Sequence, residues 1–143
     1  MKKTFMIKEK DIKRVWYTID ATDQPLGRLS TKAATILMGK NAVSYTPGTE
    51  CGNFVVITNA AKVKLTGMKI EQKVYWRHTG FLGGVKEEAY KDLMKTDPAK
   101  IVELSVSGML PKNKLRPVYL RRLKIFTAAP VGITEAGLTK VTL

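Results

Sequence analysis

A catalytic cysteine–histidine pair in this chain would have to be Cys51 and His78, because they are its only thiol and its only imidazole. Such catalysis needs an activated nucleophile beside a base. Cys51 lies in a Pro-Gly-Thr-Glu-Cys-Gly loop without a basic neighbour, and nothing in the spacing pairs it with His78. No HExxH, GxSxG or carboxylate-pair pattern is present, and one cysteine cannot build a multi-cysteine zinc site. The sequence therefore predicts a protein that is not an enzyme and that needs neither a metal nor a cofactor.

The glycine-rich segment HTGFLGG, residues 78–84, is the first candidate for binding. Three glycines in such a short stretch let backbone N–H groups approach an anion closely, although a flexible turn is the alternative interpretation. In the preceding strand, Tyr75 and Arg77 share one face and Val74 and Trp76 share the other. We expect the second face to pack into the core, while Tyr75 and Arg77 offer a ring and a guanidinium to a base and its phosphate.

A second candidate is the basic run near the C-terminus. Residues 104–134 contain no acidic residue. A helix face that is merely solvated usually interleaves acids with bases. The run therefore favours a phosphate-binding surface, formed by Lys112, Lys114, Arg116, Arg121, Arg122 and Lys124.

Composition supports a polyanionic partner. The chain has 143 residues, 25 Lys and Arg against 12 Asp and Glu, and a net charge of +13. Its 44% apolar residues suffice for one folded domain and are too many for a disordered chain. With a single cysteine, no apolar run that could span a bilayer and no apolar region near the N-terminus, we expect an intracellular protein without a signal peptide.

The elements that would position these residues begin as a β-α-β unit. Residues 15–20 are rich in β-branched and aromatic residues and predict a buried strand. A turn at 22–25 leads into a helix from Leu26, which Gly39 should end. Residues 54–60 are continuously apolar, as in a strand that is covered on both faces.

The second half of the chain predicts shorter elements. We expect an extended stretch at 69–78 and a helix at 85–94, where Glu87 and Glu88 would complement the helix dipole. Asp97 and Pro98 predict the start of another helix that runs towards Gly108. A short helix at 113–123 and a strand at 124–128 should follow.

Three segments are expected on this basis. Residues 1–14 form a basic arm that is either frayed or laid along phosphates. Residues 15–128 form a single α/β domain, and residues 129–143 form an extended tail that is poor in charge.

Four motifs then occur in order along the chain: D-A-x(4)-L-G-R-L from Asp20, N-A-x-K-x(3)-T-G-x-K from Asn59, H-T-G-x-x-G-G from His78 and G-M-L-P-K from Gly108. Each motif alone is weak, but all four in this order would rarely arise by chance. In these motifs and the segments between them, from about residue 15 to residue 126, the chain resembles the bacterial form of the ribosomal protein L-thirteen family of the large subunit.

The resemblance implies a fold, a function and partners. The fold would be a three-layer α/β/α domain with a four-stranded parallel sheet. The protein would be a structural constituent of the large ribosomal subunit, bind its 23S-type RNA, meet neighbouring ribosomal proteins and support early subunit assembly. It would act on the ribosome in the cytoplasm of a bacterium or in an organelle, with no membrane and no small-molecule substrate as partner.

The resemblance also carries residues onto this chain. In the family, the glycine-rich loop, the basic segment after G-M-L-P and the loop after the first helix lie against RNA. Together with the strand residues and the cations in or beside the matched segments, the RNA-binding candidates are Arg28, Lys40, Tyr45, Lys69, Lys73, Tyr75, Arg77, His78, Thr79, Gly83, Gly84, Lys86, Lys112, Lys114, Arg116, Arg121, Arg122 and Lys124.

The sequence departs from the family at three positions. Gly48 stands where the family usually has His, Asn53 where it usually has Asp, and Arg77 where it often has His. The first two lie in the loop at 46–53, so the family's RNA contacts there need not carry over. Arg77 keeps a hydrogen-bond donor and a stacking plane.

One alternative from another class stays open on the sequence. A small α/β enzyme that handles phosphate could use the HTGFLGG segment as its site. Co-sedimentation separates the two hypotheses, since a ribosomal protein remains with the large subunit after a wash at moderate salt.

Overall fold

The predicted strand-helix-strand unit opens the fold. The structure is a computed structural model that describes residues 6–128 and 138–141. Strand β1 is Trp16–Asp20, helix α1 is Leu26–Met38 and strand β2 is Phe54–Thr58. Helix α1 ends where Gly39 adopts a left-handed conformation (φ 81°), as the sequence predicts, and the Gly39 N–H donates to the carbonyl of Ile36.

Two further strands complete a four-stranded sheet. Strand β5 is Leu123–Ile125 and strand β6 is Leu138–Lys140, and the order across the sheet is β5-β2-β1-β6. Every neighbouring pair in this sheet is parallel. The α/β class and the four-stranded parallel sheet are thereby confirmed. Residues 1–5, 129–137 and 142–143 of the expected arm and tail lie outside the described residues.

The middle of the chain differs from the prediction in two places. Residues 69–78 were expected to be extended, but Lys69–Gln72 form the short helix α2, and strand β3 is Val74–His78. Residues 85–94 were expected to be helical, but Val85–Ala89 form strand β4, and helix α3 is Tyr90–Thr96.

The second of these predictions was wrong because a non-local contact overrides local propensity. The β4 sequence Val-Lys-Glu-Glu-Ala contains good helix formers. It nevertheless pairs antiparallel with β3 along its whole length, from Val74 opposite Ala89 to His78 opposite Val85. Cross-strand pairing is the main stabilising unit of such a ribbon, and a propensity scale does not include it.

The last two helices carry the chain towards the basic run. Helix α4 is Pro98–Met109, and the Asp97 carboxylate accepts the Lys100 N–H at 3.2 Å, which confirms the predicted cap. Helix α5 is Arg116–Arg121, shorter than expected. Its approach is fixed by the side chain of Asn113, which accepts the Leu115 N–H at 3.1 Å.

The hydrophobic core joins α1 and α4 to the sheet. Val55, Val56 and Ile57 are consecutive and all buried, so both faces of the sheet are covered at β2. Fully burying an aliphatic side chain contributes about 1.5–3 kcal/mol to stability, so this core stabilises the elements that carry the surface loops. Its largest fully buried aliphatic side chains are Ile19, Leu29, Leu37, Ile57, Ile101, Val55, Val102 and Val106. In the described part of the chain, no helix has the length and apolar character that crossing a membrane requires.

Candidate nucleic-acid interface

The glycine-rich segment closes the β3–β4 hairpin. Gly80 and Gly83 have φ values of 95° and 71°, which other residues rarely adopt. The Thr79 N–H donates to the Gly84 carbonyl at 2.9 Å, and the Gly80 N–H donates to Nδ1 of His78 at 2.9 Å. A Cβ at Gly84 would collide with the Thr79 side chain. The N–H groups of residues 79, 80 and 84 are therefore bonded inside the turn, where Gly84 donates to the Phe81 carbonyl. These glycines shape the turn, and a binding partner would meet the side chains around the turn instead of these bonded N–H groups.

The hairpin exposes the face that was expected to be buried. Trp76 is 71% exposed and Phe81 is 78% exposed, and Leu82 and Val85 are also exposed. Tyr75 packs instead against the hydrophobic core. The prediction for β3 was thus wrong for Tyr75 and Trp76, whereas Arg77 is exposed as expected and Val74 is half-buried. Strand alternation predicts the two sets of residues but not which of them faces inward.

Tyr75 has an environment that serves packing. Burial raises the pKa of its hydroxyl, which has no hydrogen-bond partner among the described residues. The Lys73 ammonium lies 5.2 Å from the centre of the Tyr75 ring, within the range of a cation–π contact. Tyr75 and Lys73 are both half-buried, so they are less available to a partner than the exposed residues of the hairpin.

Arg77 and Lys86 face each other across the hairpin and are both exposed. Neither side chain forms an ion pair with another described residue. Like charges directly opposite each other destabilise a strand pair. A phosphate between Arg77 and Lys86 would turn this repulsion into attraction.

A second cationic surface lies along helix α1. Arg28 and Lys32 are one turn apart, and α1 contains no acidic residue. With Thr31, Thr35 and Met109 they line an open groove of about 510 Å³, called here the basic groove. Lys32 was not among the sequence candidates, although its i+4 spacing from Arg28 is a signal that could have found it.

The exposed ends of α1 and α4 extend this surface. Lys40 follows the C-terminus of α1 and is exposed. Met109 is the last residue of α4, so the chain that carries Lys112 and Lys114 starts at the basic groove. Both lysines are exposed, as are Arg121, Lys124 and Lys69.

Arg122 does not belong to that surface, which corrects the expectation that it contacts RNA. Its side chain is buried, forms an ion pair with Glu50 and donates from Nη1 to the Gly52 carbonyl at 3.0 Å. Burial, with a contribution from the positive charge of Arg14, lowers the pKa of the guanidinium. Arg122 anchors the loop before β2 to the start of β5.

Arg116 and Tyr45 are intermediate in exposure between the exposed lysines and the buried Arg122. Both side chains are half-buried. Nη2 of Arg116 donates to the Leu110 carbonyl at 3.4 Å, while its Nε is buried without a hydrogen-bond partner among the described residues. Arg116 therefore holds the segment between α4 and α5, and only part of its guanidinium faces outward.

The loop at 46–53, where the sequence departs from the family pattern, has a structural role. Oδ1 of Asn53 accepts the Val15 N–H at 3.0 Å, and Glu50 pairs with Arg14 at 3.8 Å as well as with Arg122. The loop thus fastens the start of β1. Cys51 is buried in it, whereas His78 is exposed on the hairpin, so the two groups have opposite environments. A buried thiol is a poor nucleophile for an external substrate, which argues against the enzyme alternative.

Negative charge gathers where β4 of the hairpin runs into α3, with Glu87 directly opposite Trp76. Glu87, Glu88, Asp92 and Asp97 line one groove together with Lys100, whose ammonium lies 3.6 Å from Glu88. Within residues 6–128 and 138–141, no set of three or more His, Cys, Asp and Glu side chains is arranged to hold a metal ion. Arg77 and Lys86 lie nearer the hairpin turn than Glu87 and Glu88, and the basic groove lies on α1, so both sets of cations are set apart from this acidic groove.

The protein has a parallel α/β fold, unpaired surface cations and exposed aromatic rings. These features place it in the class of basic proteins whose surface suits a polyanion. The particular family follows from comparison with known proteins. The chain belongs to the ribosomal protein L13 family, because the model of that family, described as "Ribosomal protein L13", matches residues 14–131.

Individual relatives give the same result. The large ribosomal subunit protein uL13 of Thermosipho africanus is 47% identical over 129 residues, which cover 90% of this chain and 87% of the relative. The protein of the same name from Clostridioides difficile is 46% identical over 127 residues, or 89% of each chain. That from Lactobacillus johnsonii is 52% identical over 115 residues, covering 80% of this chain and 78% of the relative. The similarity thus extends over most of both chains in each pair.

Proposed function

We propose that this protein is a structural constituent of the large ribosomal subunit and binds 23S-type ribosomal RNA without catalysing a reaction. The observation that carries the proposal is the family membership over residues 14–131. The unpaired cations of the basic groove and of the hairpin support it, because such cations on a protein of net charge +13 suit a phosphate backbone.

The two exposed surfaces would bind RNA in different ways. On the hairpin, Arg77 and Lys86 would hold phosphates while the Trp76 ring stacks on an unpaired base. His78 and the shaped turn at 79–84 would fit against the sugar-phosphate backbone. Ordered RNA loops and bulges offer the unstacked bases that such a contact needs.

The second surface would act mainly by charge. The basic groove and the segments that extend it would replace the counterions of folded RNA, and released counterions favour binding. Their exposed cations are Arg28, Lys32, Lys40, Lys112 and Lys114, and Arg121 and Lys124 further along the acid-free run are exposed as well. Lys69, at the start of α2, is a further exposed candidate.

Two cationic surfaces on different elements of the fold suggest the assembly role. Arg77 lies in the two-stranded hairpin, whereas Arg28 lies on a helix packed against the four-stranded sheet. A protein that binds two RNA segments at once lowers the entropic cost of holding them together. We therefore expect the protein to support an early step in subunit assembly.

Salt dependence of RNA binding tests the proposal. If about six of these cations each neutralise a phosphate, a plot of log affinity against log salt concentration should have a slope of about −4 to −5. Lys112→Gln should make the slope less steep by about 0.7–0.9, while Lys100→Gln on the acidic groove should leave it unchanged.

Subunit isolation completes the test. The tagged protein should sediment with large subunits after a wash at moderate salt. Binding that does not respond to salt, or a protein that stays at the top of the gradient, would contradict the proposal.

A further inference from the structure

A groove on the far side of helix α3 from the acidic residues matches neither of the RNA-binding surfaces. We propose that it docks a short acidic segment of a neighbouring protein in the large subunit, with one large apolar side chain in the groove and carboxylates on its rim. This inference rests on the proposed function, because it assumes that the chain sits among other subunit proteins.

The floor of the groove is apolar. It has a volume of about 350 Å³ and is lined by Val63, Leu65, Ile70, Tyr90 and Met94. Tyr90 is buried and its hydroxyl is directed at the sulfur of Met94, 3.6 Å away, so its polar end is turned to a neighbour in the groove wall. Ile70 is 46% exposed. A cleft of this size accommodates one large side chain, and filling it would remove Ile70 from water.

The rim of the groove is positive. Lys64, Lys91 and Lys95 line it beside the apolar floor. Lys91 and Lys95 are one turn apart on α3, where like charges repel, and neither forms an ion pair with a described residue. Lys64 is 2.9 Å from Asp23, but both side chains are more than 60% exposed, so this pair is weak and can exchange for another carboxylate.

The floor decides between a protein and an RNA as occupant. RNA bases bind by stacking on exposed rings, and phosphates gain nothing from aliphatic surface. The only ring in this groove belongs to the buried Tyr90, whereas the exposed part is the side chain of Ile70. An acidic peptide with an aliphatic or aromatic anchor satisfies both the floor and the rim, and anchors of this kind supply most of the binding energy in protein interfaces.

Photo-crosslinking in purified large subunits tests the proposal. A benzophenone amino acid is introduced at Ile70, and in a parallel strain at Trp76 of the hairpin. At Ile70 we expect a crosslink to a peptide of another large-subunit protein, with Asp or Glu beside a large apolar residue when the peptide is sequenced. A crosslink to ribosomal RNA, to a second copy of this chain or to no macromolecule would overturn the proposal.

The Trp76 strain separates this failure from failure of the proposed function. A crosslink from Trp76 to RNA shows that the protein is in place and that the photochemistry works. If Trp76 crosslinks to RNA and Ile70 gives no protein crosslink, only the docking proposal fails. If neither strain incorporates the protein into large subunits, the proposed function fails.

Charge reversal tests the rim. Lys91→Glu with Lys95→Glu should lower the yield of the Ile70 crosslink at least tenfold, while sedimentation with large subunits and the Trp76 crosslink stay unchanged. Lys91→Arg with Lys95→Arg is the matched control and should keep the yield within about twofold. An unchanged yield in the glutamate variant would overturn the charge complementarity on which the choice of an acidic partner depends.

Discussion

The two sheets of this protein place their apolar residues in opposite ways. In the four-stranded parallel sheet, Val55, Val56 and Ile57 are all buried, whereas the two-stranded hairpin leaves Trp76 and Val85 exposed. A two-stranded ribbon alone is only marginally stable, and this one is attached to the core through Tyr75. The comparison indicates that the parallel sheet maintains the fold, while the hairpin keeps its side chains free for a partner.

The same contrast occurs between two adjacent residues. Arg121 is exposed at the end of α5, whereas Arg122 is buried and paired with Glu50. One arginine is thus available to a phosphate, and the other fixes the loop before β2. Variants of each kind should separate effects on folding from effects on RNA binding.

Removal of the buried arginine should have the largest effect. Arg122→Ala leaves the Gly52 carbonyl without its donor and leaves the Glu50 carboxylate with only the longer Arg14 contact at 3.8 Å, and losing one member of a buried ion pair typically costs about 3–5 kcal/mol. Since Glu50 is partly exposed and can regain water, we expect a loss near the lower end of that range. Urea denaturation measures it. Arg121→Ala is the matched control and should change the unfolding free energy by less than about 0.5 kcal/mol. Equal losses in both variants would contradict the distinction.

Truncation of the exposed ring should come next, and it should affect binding instead of folding. Trp76→Ala should weaken RNA binding by about 1–3 kcal/mol, the usual effect of losing one stacked base. Its unfolding free energy should change by less than about 0.5 kcal/mol, because the ring is largely exposed. A filter-binding titration with a large-subunit RNA fragment checks the first value.

Tyr75→Phe is the control on the opposite face of the same strand. The Tyr75 hydroxyl is buried and has no hydrogen-bond partner among the described residues, so its removal should leave stability and RNA affinity unchanged. If Tyr75→Phe weakened RNA binding as much as Trp76→Ala, the assignment of the two faces would be incorrect.

The sequence alone predicts the parallel half of this comparison better than the antiparallel half. Gly39 and the pair Asp97-Pro98 predict helix ends correctly because capping depends on a few local residues. Strand β2 is found for a related reason, since a continuous apolar run is a local pattern. β4 is missed because its pairing with β3 is not visible in the Val-Lys-Glu-Glu-Ala sequence.

The residues of the candidate site likewise divide into those that local sequence predicts and those that depend on distant contacts. Arg77 and Lys86 can be chosen as candidates from charge and position, and both prove to be exposed. Arg122 cannot be separated from Arg121 by sequence, because its partner Glu50 lies 72 residues earlier in the chain. The exposure of Trp76 likewise depends on which face of the hairpin meets the core, and this is set by tertiary packing.

Neutralising the facing cations should have a moderate and diagnostic effect. Arg77→Gln with Lys86→Gln removes a like-charge pair, so the protein should become more stable by roughly 0.2–1 kcal/mol in thermal unfolding. RNA affinity should nevertheless fall, and the slope of log affinity against log salt should become less steep by about 1.4–1.8. Reduced stability together with unchanged binding would show that the two cations belong to the fold.

The smallest expected effect concerns acid stability at the end of β1. The Asp20 carboxylate accepts hydrogen bonds from Asn59 and from the N–H and hydroxyl of Thr22, and these bonds lower its pKa. A lowered pKa stabilises the folded state above the ordinary aspartate pKa of 3.8, and this contribution disappears as the pH falls through the folded pKa. Asp20→Asn should therefore be less stable than the wild type by under about 1 kcal/mol at pH 7, and the difference should shrink as the pH falls below 3.8 and through the folded pKa. A difference that grew towards low pH would have the opposite sign to this account.

Lysine acylation of the free protein and of purified large subunits tests the central claim most directly. Lys86, Lys112 and Lys114 are exposed in the free protein, so all three should react readily there. Mass spectrometry should show them protected in large subunits, and ribonuclease treatment of the subunits should restore their reactivity. Full reactivity of these three lysines in intact subunits, or protection that survives removal of the RNA, would contradict the claim that the exposed cations bind ribosomal RNA.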